Sequence, residues 1–209
     1  MPNTRRQMLV GSILLLLTAG LSGTISRAQP GAPDRFEAQN MFVFGNPLLL
    51  VPGAATLIRN DQGIQYRVYT SELMPGEAHT LWIAIFHRPE HCAAGPGQCV
   101  PSDLNNPRVQ GSLVYGGGYL VGPDGLANFH GSLDVGPPPT GTEVNVPVGL
   151  VNGLRNARKA EIHLVVRNHG EVAIGEAAAQ LTTFFGGCPL GALGLGCINL
   201  QAAIFEAVP

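Results

Sequence analysis

Six histidines stand in a chain of which only 12% is charged: His79, His87, His91, His130, His163 and His169. Imidazole is the commonest metal ligand and titrates near neutral pH, so their spacing comes first. His79 and His87 fall on the same side of one strand but eight residues apart, about 26 Å at 3.3 Å per residue, and cannot share an ion. Glu161 and His163 are two apart, about 7 Å along one strand face, so both can reach one centre. His163 can be joined by His79 or His130 from a neighbouring strand, and His169 can fold back through the Asn168-His169-Gly170 turn. The candidate ligand set for zinc or copper is therefore His79, Glu161, His163 and His169. No HExxH or comparable spacing accompanies it. The simpler reading needs no cofactor: His79 and His163 sit at strand ends and make ordinary hydrogen bonds.

Other chemistry finds less footing. Cys92, Cys99, Cys188 and Cys197 form two close pairs whose gaps of six and eight residues do not suit zinc, and short Gly- and Pro-containing loops favour Cys92–Cys99 and Cys188–Cys197 disulfides. That pairing leaves no thiol nucleophile. There is no GxSxG, and Ser112 and Ser132 lie within strands rather than on a turn. Glu161 with Asp134 or Glu143 could form a carboxylate pair for glycoside hydrolysis, although no spacing singles them out. Gly116 to Gly118 do not open a helix, so they are no phosphate loop. Tyr66, Tyr69, Tyr115 and Tyr119 suit sheet packing better than an exposed platform for a glycan or peptide.

The elements that must position these residues are short strands. In His79 to Phe86 both alternating faces are apolar, Leu81, Ile83 and Ile85 on one and Trp82, Ala84 and Phe86 on the other, which describes a central strand covered on both sides. Around it the pattern gives a first edge strand at Met41–Phe44, a pair at Ala55–Arg59 and Ile64–Leu73 about an Asn60–Gly63 turn, and a hairpin of Val109–Val121 with Leu126–Leu133, broken by Gly116–Gly118 as a bulge or sharp bend. Ala160–Arg167 follows, with Ile162, Leu164 and Val166 inward and Glu161, His163 and Arg167 on the other face. Gln180–Phe185 and Ile198–Phe205 are the last strands. Val148–Lys159 reads equally as a short helix or a loop, and Cys92–Pro107 as a long stapled loop. The fold expected is all-β: a Greek-key or immunoglobulin-like sandwich of about seven to nine strands, with a closed barrel as the alternative.

Residues 1–28 carry Arg5, Arg6, an apolar run from Leu9 to Leu21, and Ser26-Arg27-Ala28, which reads as a signal peptide cleaved between Ala28 and Gln29. Thr4 to Leu9 resembles a twin-arginine export signal. Residues 29–40 read as a Pro/Gly/Ala-rich tether and 41–209 as a single domain. Removing 28 residues from 209 leaves 181, and losing three arginines leaves nine basic against 14 acidic side chains. That balance excludes nucleic acid and anionic membrane as partners. The 28 glycines and 17 prolines suit many turns rather than a helical bundle.

At TLWIAIFHRPEHC, AEIHLVVRNHG and QLTTFFGGC the chain resembles a family of uncharacterised exported bacterial proteins, which implies an extracytoplasmic β-domain and transfers no catalytic residue. In YRVYTSELMPGEAHTLWIAIF and GYLVGPDGLANFHG it is also similar to chordin-type (CHRD) domains and so to superoxide-dismutase-like sandwiches. That family's His-x-His-Gly segment is replaced here by His79-Thr80-Leu81-Trp82. The expected function is a secreted or periplasmic, non-enzymatic module that meets a protein or glycan through the loops around Cys92–Pro107 and Cys188–Cys197. The alternative is the zinc or copper protein above.

Overall fold

The structure is a computed structural model and describes residues 34–139, 153–188 and 197–208. The expected signal peptide with its Ala28/Gln29 cleavage site, Glu143 and residues 148–152 lie outside the described residues. Among the described residues eight strands form a single antiparallel sheet: β1 (Arg35–Val43), β2 (Asn46–Arg59), β3 (Gly63–Thr70), β4 (Glu77–Phe86), β5 (Gly111–Leu120), β6 (Ala127–Asp134), β7 (Glu161–Glu171) and β8 (Ile198–Phe205). Their spatial order is β5-β4-β7-β8-β1-β2-β3-β6. The chain is thus all-β, as its alternating apolar pattern predicts, with the strands in one nearly closed sheet.

Closure is made by side chains. No ladder joins the two margins, β5 and β6. Instead the Tyr66 hydroxyl on β3 donates to the Gly116 carbonyl on β5 at 2.8 Å, and the Tyr119 and Phe129 rings meet edge-on at 5.7 Å. To reach β5, Tyr66 crosses its register partner Gly131 on β6, where a Cβ would lie 2.4 Å from the hydroxyl. Only glycine leaves that path open. The expected Val109–Leu133 hairpin is therefore a crossing between opposite margins. The glycine run does not break the strand but makes a bulge, Leu81 facing Gly117 and Trp82 facing Tyr115.

The inward face carries Leu57, Tyr66, Val68, Leu81, Ile83, Ile85, Phe129, Leu164, Val166 and Phe205, all buried in one cluster. A second cluster lies on the outward face of β4: Ala84 and Phe86 under Cys92, Cys99 and Val109. β4 is covered on both sides, as its sequence requires, by the sheet's own interior and by the loop that follows it. One end of the interior is occupied by Arg59, fully buried, whose Nε donates to Glu37 at 2.6 Å while Nη1 and Nη2 donate to the carbonyls of Ala157, Ala160 and Glu206.

Three elements differ from the sequence reading. β1 starts at Arg35, so residues 35–40 of the expected tether are strand, and β1 lies between β8 and β2 rather than at an edge. β2 begins nine residues before Ala55, because Asn46–Gly53 continues along β1 despite two prolines. The only α-helix among the described residues, α1 (Ala177–Thr182), occupies part of the expected Gln180–Phe185 strand, while of described residues 153–159 Leu154 bridges to Val135 and Gly136 and 157–159 form a turn. Three consecutive alanines favour helix there, and α1 docks through Gln180, whose amide donates to the His169 and Glu171 carbonyls and accepts from Ala173.

Candidate functional site: an apolar cleft over a carboxylate–imidazole pair

Glu161 and His163 face outward from β7, opposite Phe86 and Ala84 of β4. On an uncovered sheet that face would be wet. Here the loop after β4 folds over it, leaving Glu161 fully buried and His163 6% exposed. The Cys92–Cys99 disulfide closes the loop, with Cα atoms 5.2 Å apart. Two buried carboxylates then take up its unpaired amides. Asp103 accepts from Ala93 (3.0 Å) and Val100 (2.9 Å), and Glu161 accepts from Gly97 (2.6 Å) and Cys99 (3.0 Å). Charge-assisted bonds of this kind do for an irregular loop what a ladder does for a strand.

His163 Nε2 lies 2.7 Å from Glu161 Oε1, and its ring tilts against Phe86 at 4.8 Å. Its other nitrogen, Nδ1, has no hydrogen-bond partner among the described residues and is not among the sealed, unpartnered buried atoms. The His163 ring lines a cleft of about 410 Å³ bounded by Phe42, Phe44 and Pro47 on the β1–β2 side, Cys99–Pro101 on the loop side, and Ala202 and Ile204 on the floor. A smaller extension of about 70 Å³ shares Phe44, Pro101 and His163 and runs back to Trp82, Leu104, Val165 and Phe184. The volume falls in the range of small-molecule sites, and the lining is apolar except for His163, Gln98 and Asn199.

At the far end of the same face His169 is buried beside the second disulfide, Cys188–Cys197, with Cα atoms 5.6 Å apart. Trp82 Nε1–H donates to Thr80 Oγ1 at 2.7 Å, and Thr80 Oγ1 and His169 Nε2 are 2.8 Å apart. His169 Nδ1 is 2.8 Å from the Gly186 carbonyl. A hydrogen on Nδ1 completes a chain of donors, Trp82 to Thr80 to His169 to Gly186, and keeps the imidazole neutral. Burial pulls the His169 pKa down to about 4, with smaller contributions from Arg167 and His79. Phe184 seals the chain, edge-on to Trp82 at 5.1 Å, with the Arg167 guanidinium 4.1 Å from its ring centre.

The four residues of the expected metal set do not converge. Glu161 and His163 form one pair; His169 lies six residues further along β7, roughly 20 Å away, on the outward face. His79 points into the interior with Leu81, fully buried, Nδ1 3.4 Å from the Glu77 carbonyl and Nε2 unpartnered. The His/Cys/Asp/Glu groups among the described residues that are compact enough for an ion are His169 with Cys188 and Cys197, and Asp103 with Cys92 and Cys99. Their sulfurs are spent in disulfides, and His163 is in neither group. His130 is exposed on β6, and the tyrosines split between Tyr66 in the interior, Tyr115 donating to the Leu181 carbonyl, and Tyr69 in solvent. They form no platform.

Both disulfides have the pairing expected from the spacing of their cysteines, a mark of oxidising, extracytoplasmic compartments. No helix of the described residues is long and apolar enough to cross a membrane. Sequence reasoning missed Asp103 and the cleft itself; the one signal for Asp103 was its place three residues after Val100 at the start of a short 3₁₀ turn. No family model, curated protein or solved structure matches the chain.

Proposed function

We propose that this is an exported, disulfide-stapled binding module that takes a small, largely apolar molecule into the cleft between the Cys92–Cys99 loop and the β1–β2 hairpin. The observation that carries the reading is the cleft: preformed, of ligand size, lined by Phe42, Phe44, Pro47, Ala202 and Ile204, with one convergent polar group at its base. A glycan would need many hydrogen-bonding groups, and this lining offers few. Export rests on the signal-like residues 1–28 and on the staples. A zinc or copper centre has the carboxylate-backed imidazole in its favour, but a single imidazole supplies one ligand where three or four are needed.

Titration with N-phenyl-1-naphthylamine, a neutral dye that brightens in apolar surroundings, tests the cleft. Saturable binding of one dye per chain is expected, with quenching of Trp82, the sole tryptophan. Ile204→Trp fills the floor and should weaken binding at least tenfold. Absence of saturable binding, or binding unchanged by Ile204→Trp, refutes the cleft as a ligand site.

A further inference from the structure

We infer that the Glu161–His163 pair makes the cleft selective for an aromatic or alicyclic molecule carrying one hydroxyl or N–H donor, which His163 Nδ1 accepts while the apolar walls hold the ring. The inference rests on the cleft being a ligand site. Both oxygens of Glu161 are occupied. Its Oε2 accepts from the Gly97 amide and its Oε1 from the Cys99 amide, and Oε1 also meets His163 Nε2 at 2.7 Å. A carboxylate is acceptor-only, so the hydrogen of the imidazole contact is on Nε2. In the neutral ring the remaining nitrogen, Nδ1, then has only a lone pair to offer.

Both members of the pair are held in place. Glu161 is held by two backbone amides of a loop that the Cys92–Cys99 bond closes, and the imidazole is wedged against Phe86. A carboxylate behind an imidazole also strengthens the acceptor on its far side. His163 is 94% buried by its 6% exposure, so a ligand that covers it removes the last water from Nδ1. An apolar ligand without a donor would leave that nitrogen dry and unpaired, at the full desolvation cost of a polar group. A ligand with a donor restores the bond. Discrimination of this kind, by an unpaired site group, is larger than a cleft of this lining could achieve by shape alone.

Two matched probes separate the ideas: 2-naphthol, which carries the donor, and 2-methoxynaphthalene, which does not. Both are titrated into the purified chain by calorimetry at pH 8. The expected result is 2-naphthol binding at least tenfold tighter, with the preference falling to about twofold in His163→Phe and both probes losing affinity together in Ile204→Trp. Equal affinities for the unaltered chain would overturn this inference and leave the cleft standing. A preference that survives His163→Phe would overturn it too, since the acceptor would then be another group. If neither probe binds the unaltered chain, both the inference and the binding module fail.

Discussion

His79, His87 and His169 are all held neutral by their surroundings. Burial lowers each of their pKa values, to about 4 for His87 and His169, and the hydrogen bonds to the Gly153 and Gly186 carbonyls offset only part of it. The unfolded chain protonates His87 and His169 near 6.5 and the folded chain only near 4, so between those values the unfolded state binds more protons. Their contribution is fully present above about pH 6.5 and is lost as the pH falls toward 4, on the order of 3 kcal/mol for a histidine shifted this far. Urea denaturation midpoints should drop steadily from pH 7 to pH 4.5, and His169→Gln should flatten that slope. A midpoint that rises on acidification would mean the imidazoles are charged in the fold. At this scale the sequence was half legible. Glu161 and His163 belong together because two residues along a strand is one face. The separation of His79 from His169 depends on which way each strand faces, and a β4–β7 register cannot be read from either segment alone.

Elements here are fixed less by their own propensity than by single close approaches. The β5–β6 seam depends on Tyr66 passing over Gly131 to Gly116. Gly131→Ala should displace that hydroxyl and destabilise by about 1–3 kcal/mol. In a Tyr66→Leu background, with no hydroxyl to displace, the same substitution should cost markedly less, so the two changes should be non-additive in a double-mutant cycle. Additive costs would show that Gly131 matters for some other reason. Likewise α1 is too short to persist by itself; it is pinned by Gln180 and by the Tyr115 bond to Leu181, and Gly118 lets the Leu181 carbonyl come where a Cβ would be 2.2 Å away. Such contacts are long-range, which is why Gln180–Phe185, with its threonines and phenylalanines, reads as strand by composition and folds partly as helix.

For the whole molecule, the apolar alternation of β4 announced a strand covered on both faces, and the turn residues announced an all-β chain. What covers the strand was not announced. One cover is the sheet curling round on itself, the other an irregular loop whose order comes from Asp103, Glu161 and a disulfide. Replacing Cys92 and Cys99 together by alanine should therefore lower stability by about 2–3 kcal/mol, lower Tm by roughly 5–10 °C, and loosen the wall of the cleft enough to weaken dye binding. Unchanged dye affinity in that variant would show that the loop keeps its shape without the staple.

The side-chain closure between β5 and β6 has a mechanical corollary. The other strand boundaries are joined by backbone bonds, only two register pairs at β1–β8 and long ladders elsewhere, whereas this one is a clasp with a phenol as its rivet. Strain from heat, denaturant or pulling should part the molecule along that line first, without unravelling any ladder, and amide exchange along the facing margins of these two strands should outpace that of β4 and β7.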